Sequence, residues 1–417
     1  MNRLLHTLRL MGPGILFAGA AIGVSHLVQS TRAGASFGWE LVWVVVAVNL
    51  FKYPFFEFGS RYALATGESL LQGYRRQGKW VLWFFLLVTV LTVFTVQATV
   101  TLVTAGIAQN LLPTGESPIW WSAIILSVCA VLLIIGKYSL LDKTMKGIVV
   151  LLSLSTLIAL VGAWLKYDSS LLIETPHFVW SNRSHLVFLI AFMGWMPAPI
   201  DLSVWYSIWS LEKRKQQPEF SVQNSLFDFK IGYGGTAVLA LAFVGLGAVS
   251  IYGTGQQLPD GAASFSNTLI NIYANTLGPV ARWGIAIAAL TTMFSTTLTC
   301  FDAIPRTLSQ TTLILTNHDT PEKEQQYYWL VMAILFAGAL ALISFFSTSM
   351  LQLVQLATIL SFLTAPFFAV ANYHLVTSKH TPLEAQPQLP LRVLSWLGIA
   401  FLLVFCGVYG YTLLLPS

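Results

Sequence analysis

The stretch IAFMGWMPAPIDLS, residues 190–203, places Gly194, Pro197 and Pro199 within six residues of one another in an otherwise apolar segment. Each proline lacks a backbone N–H and cannot continue the hydrogen bonding of a helix. In a membrane, the backbone groups freed by such a break are tolerated only where they line a cavity or bind a ligand. If this segment spans a bilayer, it therefore predicts a broken helix with a binding site at its middle.

The composition indicates that the segment does span a bilayer. Of 417 residues, 56% are hydrophobic and 9% are charged, whereas a soluble domain carries about 25% charged residues. The mean hydropathy is +0.71. At about 20 apolar residues per crossing, the chain has room for roughly ten to twelve spans. These figures exclude a soluble enzyme, a nucleic-acid-binding domain and a disulfide scaffold.

Apolar runs separated by polar or Gly/Pro-containing breaks predict eleven spans, near residues 12–36, 40–65, 80–111, 118–136, 145–165, 185–209, 230–253, 279–304, 327–346, 349–375 and 392–414. The runs are long and lack period-two alternation, which favours helices over a closed barrel. The predicted fold class is an all-α integral membrane protein with eleven transmembrane helices. The longest predicted loops, near 166–184, 254–278 and 305–326, are polar.

The basic residues predict the orientation. If the N-terminus is cytoplasmic, the predicted outer segments contain only Lys166, Arg183 and Arg282 as basic residues, and most of the others fall on the inner side. Because positive residues are retained on the cytoplasmic side, we expect a multi-pass protein of a bacterial-type inner membrane. Its N-terminus would be cytoplasmic and its C-terminus outside.

A second break is predicted in the first span. Residues 12–38 read GPGILFAGAAIGVSHLVQSTRAGASFG, with Gly19, Gly23, Ser25 and His26 near the middle. The two breaks fall in the first span of each of two groups of five, which predicts inverted repeats over residues 1–165 and 185–375, and an additional eleventh helix over 390–417. This pattern is typical of secondary transporters of the leucine-transporter fold. The alternative is that both spans are merely kinked packing helices.

Several motifs resemble the NRAMP divalent-metal transporter family. They are GPG at 12–14 with AGASFGWELVW at 33–43, GSRYALATGESLLQGY at 59–74, and GWMPAP at 194–199. The resemblance extends over about residues 11–375 in the number and order of the spans. It implies the leucine-transporter fold, with helices 1 and 6 broken, and alternating access.

The family's metal ligands are not retained. Its first-helix motif Asp-Pro-Gly-Asn aligns with Gly23–His26, so that the metal-binding Asp is Gly23 here. Its sixth-helix motif Met-Pro-His-Asn aligns with Met196–Pro199, so that the family's His is Ala198, and its carbonyl ligand is Met193. A divalent ion in a low-dielectric site needs negative charge nearby. The nearest acid in sequence, Asp201, follows the second break.

Without that Asp, the N-termini of the two half-helices favour a small anion over a cation. A planar oxyanion of bicarbonate size suits such a neutral pocket. The candidate substrate-binding residues are Gly23, Ser25, His26, Met193, Gly194, Met196 and Gln355. His26 has three interpretations: it donates to substrate, it is a satisfied interior histidine, or it ligates a soft metal with Met193 and Met196.

The eighth span predicts a coupling ion. Its sequence TTMFSTTLTCFD, residues 291–302, is rich in hydroxyls for a membrane helix. In sodium-coupled members of the same fold, Na⁺ lies between such hydroxyls and carbonyls of the broken first helix, and oxygen ligands suit a hard cation. This resemblance implies a sodium site formed by Ala20, Gly23, Ser295, Thr296 and Thr299. Alternatively, these hydroxyls bond to their own or a neighbouring helix.

Charged residues near the second and seventh spans also need partners or water. Lys52, Glu57 and Arg61 are costly in lipid, and the spacing of four between Glu57 and Arg61 predicts a structural or gating ion pair. Asp228 and Lys230 are expected to remain solvated at the end of span 7.

The favoured function is therefore a secondary-active transporter that couples sodium to uptake of a small, bicarbonate-like anion. The alternative is a proton-coupled importer of Mn²⁺, Fe²⁺ or Mg²⁺ with an altered site, where His26 and Met196 would be ligands. A membrane sensor on a transporter scaffold is a third possibility. No enzyme motif, cofactor or nucleic-acid partner is expected, and the chain is expected to be a monomer in the lipid bilayer.

Overall fold

The computed structural model describes residues 12–112, 114–136, 138–167, 172–173, 175–279, 281–317 and 320–414. Residues 1–11 and 415–417, at the outer ends of the predicted first repeat and eleventh helix, lie outside the described residues, as does part of the predicted loop near 166–184. Within the described residues the chain is helical and contains no strand. This confirms the all-α prediction.

The helices follow the predicted spans closely. They are α1 (Pro13–Ala21), α2 (a π-helical Ser25–Ser30 continued by Thr31–Phe37), α3 (Val42–Thr66), α4 (Leu70–Gln77), α5 (Lys79–Leu111), α6 (Pro118–Ile135), α7 (Tyr138–Leu165), α8 (Arg183–Gly194), α9 (Leu202–Gln216), α10 (Val222–Ser250), α11 (Ala262–Leu277), α12 (Ala281–Thr316), α13 (Pro321–Phe346), α14 (Met350–Thr377) and α15 (Leu389–Thr412).

Eight of these described helices, α3, α5, α6, α10 and α12–α15, are long and apolar enough to cross a membrane. The bent pair of α1 and α2 would make nine. Two shorter apolar segments, Val150–Leu165 within the 28-residue helix α7 and Arg183–Gly194 of α8, fall in predicted spans 5 and 6. The count of eleven spans and the division into inverted repeats therefore stay predictions.

Two of the predicted loops contain helices in the structure. Their polar residues indicated loops in the sequence, but these residues lie on helices. The segment near 254–278 contains α11, which buries Phe265, Leu269 and Tyr273 at helical spacing while its other face is polar. The segment near 305–326 begins inside α12, which continues past Pro305 to Thr316. Hydroxyls such as Thr307 donate to carbonyls of their own helix there, so the helix satisfies its polar side chains internally.

The two broken helices occupy the centre of the molecule. Phe17 of α1 is fully buried and its ring packs against Phe56, Tyr206, Phe229 and Tyr233 of α3, α9 and α10. The peripheral helices instead present large apolar side chains outward, including Trp80, Leu91, Ile134, Phe345 and Trp396. Such an apolar exterior is compatible with a lipid environment. The polar groups of the two breaks lie inside the helical bundle, away from these surfaces.

Candidate functional site

The first break separates α1 from α2. α1 ends at Ala21, Ile22 has extended backbone torsion angles, and α2 begins at Ser25 with its axis turned by 48°. A Cβ atom on Gly23 would lie 3.1 Å from Cγ2 and 3.2 Å from Oγ1 of Thr296. A residue without a side chain therefore lets the break approach α12 closely.

The hydroxyl of Thr296 faces the end of α1. Its Oγ1 lies 3.3 Å from the carbonyl oxygens of both Gly19 and Ile22, and 3.2 Å from the carbonyl of Thr292 in its own helix. The Thr296 hydroxyl is therefore close both to carbonyls of the broken first helix, as a sodium site requires, and to a carbonyl of its own helix, as the alternative interpretation requires. The last carbonyls of α1 otherwise lack helical partners, which makes them available to a cation.

A cavity of about 430 Å³ reaches the same place. Gly19 and Ile22 line it from α1, while the predicted sodium-site residues Ser295 and Thr299 line it from α12. Ala20, the remaining predicted ligand, is half-buried in α1 and is not among the residues lining this cavity. Gly23 and Thr296 therefore meet at the end of α1, whereas Ser295 and Thr299 are placed near it only as residues that line the adjacent, mostly apolar cavity.

Ser25 and His26 form a buried hydrogen-bonded pair at the start of α2. His26 Nε2 lies 3.0 Å from the carbonyl oxygen of Thr236, and its Nδ1 lies 2.7 Å from Ser25 Oγ. Since a carbonyl only accepts, Nε2 carries the hydrogen and Nδ1 is the acceptor. Ser25 Oγ also lies within hydrogen-bonding distance of the carbonyls of Ala21 and Pro197. Both ring nitrogens of His26 thus have protein partners.

The second break separates α8 from α9. α8 ends at Gly194, and α9 begins at Leu202. A Cβ atom on Gly194 would lie 2.0 Å from the carbonyl oxygen of Thr358 in α14, so glycine here is required for close helix packing. Met193 and Met196 are fully buried on either side. The predicted unwinding at Pro197 and Pro199 is therefore present.

An ammonium group lies under this second break. Lys52 of α3 is fully buried, and its Nζ donates to the carbonyl oxygens of Met193 at 2.7 Å and Gly194 at 2.8 Å, with that of Ala198 at 3.4 Å. The sequence showed that Lys52 needed a partner but offered no way to identify it, because the carbonyls are contributed by a segment about 140 residues away. The sequence predicted a neutral pocket, and this prediction is wrong because a lysine side chain lies beneath the second break.

Asp201 lies at the other end of the unwound segment, immediately before α9. Lys52 and Asp201 are close enough to interact electrostatically. The ammonium faces the negative end of α8 and the carboxylate the positive end of α9, so each offsets a helix dipole. The N-terminus of α9 is therefore less favourable for an anion than the sequence suggested, whereas α2 begins without a charged side chain in its first turn.

The remaining predicted site residues lie around these breaks. Gln355 is half-buried in α14, three residues before Thr358. Glu57 and Arg61 do form an ion pair, with a nitrogen–oxygen distance of 2.5 Å, and Arg61 Nη1 also donates to the carbonyl of Ala385 at 3.1 Å. The pair thus links α3 to the segment before α15. A gating role stays a prediction.

Asp228 is not solvated, contrary to expectation. It is 1% exposed, and its Oδ2 accepts hydrogen bonds from the backbone N–H groups of Gly12 at 3.1 Å and Gly14 at 2.6 Å. The first N–H groups of a helix have no partner within it. Asp228 therefore caps the start of α1, which the linear sequence placed far away.

The described residues offer no cluster suited to a transition metal. They contain no group of three or more His, Cys, Asp or Glu side chains that could hold a metal ion. For the alternative ligand set of His26 and Met196, both imidazole nitrogens are engaged by Ser25 and Thr236. A metal would have to displace one of these partners.

Three comparisons relate the chain to known proteins. A model of the natural resistance-associated macrophage protein-like (Nramp) family matches residues 14–412. An uncharacterized protein of Pasteurella multocida (strain Pm70) is 37% identical over 399 residues, covering 95% of this chain and 90% of the relative.

Solved structures agree on the fold. A histidine-to-alanine mutant of the Eremococcus coleocola manganese transporter has a TM-score of 0.69 at 15% identity, covering 96% of this chain and 85% of that chain. Mhp1, a nucleobase-cation-symport-1 family transporter in a closed conformation, has a TM-score of 0.59 at 15% identity, covering 97% and 92%. These similarities confirm the predicted leucine-transporter fold.

Proposed function

The chain belongs to the Nramp family, and from this premise we propose that it is a secondary-active, alternating-access transporter that couples sodium to uptake of a small anion. Family and fold support a membrane transporter rather than an enzyme. The coupling ion and the substrate are the parts of the proposal that depend on the geometry of the two breaks.

One observation carries the proposal: the hydroxyl of Thr296 faces the carbonyl oxygens at the end of α1. The carbonyls of Gly19 and Ile22 each lie 3.3 Å from Thr296 Oγ1, and Ser295 and Thr299 contribute hydroxyls to the mostly apolar cavity beside them. Carbonyl and hydroxyl oxygens suit a hard cation. The negative end of the α1 dipole favours positive charge at the same place. We therefore assign Na⁺ to this position.

The proposed substrate is an anion of bicarbonate size at the start of α2. No acidic residue in the first turn of α2 neutralises the positive end of that helix, and helix N-termini bind oxyanions. Gly23 allows close approach to the backbone. A doubly charged metal is less suitable because Gly23 takes the place of the family's Asp. Manganese transport, which describes the neighbour from Eremococcus coleocola, remains the competing substrate assignment.

The proposal includes the predicted setting of the protein. It acts as a monomer in a bacterial-type inner membrane, with its N-terminus in the cytoplasm and its C-terminus outside. Alternating access arises from movement between the two groups of five spans. The wider set of residues predicted to contact the substrate comprises Gly23, Ser25, His26, Met193, Gly194, Met196 and Gln355.

The test is uptake of labelled bicarbonate into proteoliposomes with and without an inward sodium gradient. We expect uptake by the unmodified chain to require sodium. Thr296→Val and Thr299→Val should each remove the sodium dependence while preserving expression and the elution profile in detergent. Thr312→Val is the matched control, since its hydroxyl bonds only to Leu308 of the same helix at 2.9 Å among the contacts described.

Two outcomes would reject the proposal. Unchanged sodium dependence in both threonine variants would remove Na⁺ from this position. Manganese uptake driven by a proton gradient, in the absence of sodium-dependent bicarbonate uptake, would establish the metal alternative.

A further inference from the structure

The environment of Lys52 is unusual for a lysine in a membrane helix. Long cationic side chains near helix ends extend towards the interface, whereas Lys52 is eleven residues into the 25-residue helix α3. Its side chain is fully buried, and its nitrogen ends beneath the unwound part of the sixth span.

The contacts of the ammonium match its chemistry. An ammonium group has three N–H donors and no acceptor, and Lys52 Nζ has three carbonyl oxygens within 3.4 Å, those of Met193, Gly194 and Ala198. The first two are in the last turn of α8, where carbonyls lack helical partners and the helix dipole is negative. A positive charge is therefore stabilised here without any carboxylate in direct contact among the bonds described.

The same three oxygens are the ones that a free cation would need. Met193 contributes a backbone carbonyl at the position that the family resemblance assigns to a metal ligand. In this protein that carbonyl is already 2.7 Å from a tethered ammonium. A second cation at the break would have to compete for these oxygens and would be repelled by the lysine at short range in a medium of low dielectric constant.

We propose that Lys52 is a resident cation of the second break. Its ammonium occupies the carbonyl oxygens of α8. Metal ions and other free cations are therefore excluded from the break, and this exclusion determines selectivity. The role of Lys52 rests on the proposed function in one respect only, namely that the transported solute is an anion. Asp201 balances the ammonium across the unwound segment, so the break carries its own counter-ion and needs no mobile cation to neutralise it.

The first experiment is chemical rescue of a truncated lysine in the full-length protein purified in detergent. Lys52→Ala leaves the three carbonyls without their donor and vacates the volume of an n-propylammonium group, since alanine retains Cβ. We expect the Tm of this variant to fall, and to rise again with added n-propylammonium chloride in a saturable manner. Tetramethylammonium chloride, which has no N–H donor, should have no such effect at equal ionic strength.

Lys230→Ala is the matched control, because Lys230 is an exposed lysine of α10. Neither this variant nor the unmodified protein should respond to n-propylammonium. An equal response of all three proteins, or no specific response of Lys52→Ala, would overturn the assignment of Lys52 as a resident cation. This readout requires no transport, so it is independent of whether bicarbonate and sodium are the transported ions.

A second measurement covers the case in which Lys52→Ala does not fold. Titration of the unmodified protein with MnCl₂ in a calorimeter should show no binding. Saturable binding of Mn²⁺ that survives in Thr296→Val would place a metal elsewhere than at the first break, and would overturn the exclusion of cations by Lys52. Failure of sodium-dependent bicarbonate uptake together with successful amine rescue would reject the proposed function but keep the role of Lys52.

Discussion

The two helix breaks differ in sequence and in the side chain that meets the end of the broken helix. The first contains Gly19 and Gly23 but no proline, whereas the second contains Gly194, Pro197 and Pro199. At the first break, the terminal carbonyls of α1 meet the neutral hydroxyl of Thr296. At the second, the terminal carbonyls of α8 meet the ammonium of Lys52. A neutral partner leaves room for a mobile cation, whereas a tethered ammonium does not. The comparison therefore separates the proposed site of an exchangeable ion from a break that contains a lysine.

The breaks also differ in packing. A Cβ atom on Gly19, near the end of α1, would have no neighbour within 4 Å, whereas one on Gly194 would overlap the Thr358 carbonyl at 2.0 Å. α1 thus ends beside an open cavity, while α8 is held tightly against α14.

The largest expected effect is that of Lys52→Met, which tests the charge at the second break. Methionine retains an unbranched apolar stem but leaves three carbonyls and Asp201 without their cation. Removing one partner of a buried charged pair costs about 3–5 kcal/mol, so we expect the free energy of unfolding to fall by about that amount. Denaturant titration monitored by tryptophan fluorescence measures this free energy. A decrease no greater than that caused by Lys230→Met would contradict the proposed difference in charge between the two breaks.

The next effect is steric. Gly194→Ala forces α8 away from α14, and overpacking of this kind costs about 1–3 kcal/mol or more. Gly19→Ala is its counterpart at the first break and should be nearly neutral in stability, because its methyl group enters open space. Thermal unfolding of the two variants side by side checks this, and equal Tm values would remove the packing difference.

His26→Ala addresses whether the histidine at the first break is a structural residue or a substrate donor. The truncation leaves the buried carbonyl of Thr236 and the hydroxyl of Ser25 without this partner. An unsatisfied buried polar group costs about 1–3 kcal/mol, so stability should fall together with bicarbonate uptake. Uptake lost at unchanged stability would instead indicate direct donation to the substrate.

The smallest effect is expected for Ser25→Ala, which removes a contact between the two breaks. The Ser25 hydroxyl donates to His26 Nδ1 at 2.7 Å, and its oxygen lies 3.3 Å from the carbonyl of Pro197 and 3.0 Å from that of Ala21. Loss of this hydrogen bond reduces stability by about 0.5–1.5 kcal/mol. Hydrogen–deuterium exchange should show faster opening of both breaks, and acceleration confined to the first would show that the breaks are not coupled through Ser25.

The fold could be predicted from the sequence because the surrounding lipid restricts which structures can cross a membrane. Lipid requires long apolar helices with internally bonded backbones, so runs such as residues 80–111 and 349–375 predicted α5 and α14 closely. The same criterion failed for α11, whose Phe265 and Leu269 pack on one side of a mostly polar segment. Amphipathic helices outside the apolar runs carry a weaker signal, because half of their residues face water.

The site was predictable only where the relevant residues are local in sequence. Gly and Pro near residues 194–199 predicted the second break, and the hydroxyl of Thr296 lies beside the first, whereas the sodium site itself stays a prediction. Glu57 and Arg61 were paired because four residues separate them on one helix. The partners of Lys52 and Asp228 were missed, since each lies on a helix distant in sequence.

By itself, the sequence determined the class of protein and the position of both breaks, because these depend on composition and on the local chemistry of glycine and proline. Only the tertiary structure decided what meets the broken ends. The backbone carbonyls of α1 and α8 are the same chemical group in every sequence, and their partners, Thr296 and Lys52, are brought to them by helix packing. Whether a broken helix receives a mobile ion or a resident one therefore depends on long-range contacts.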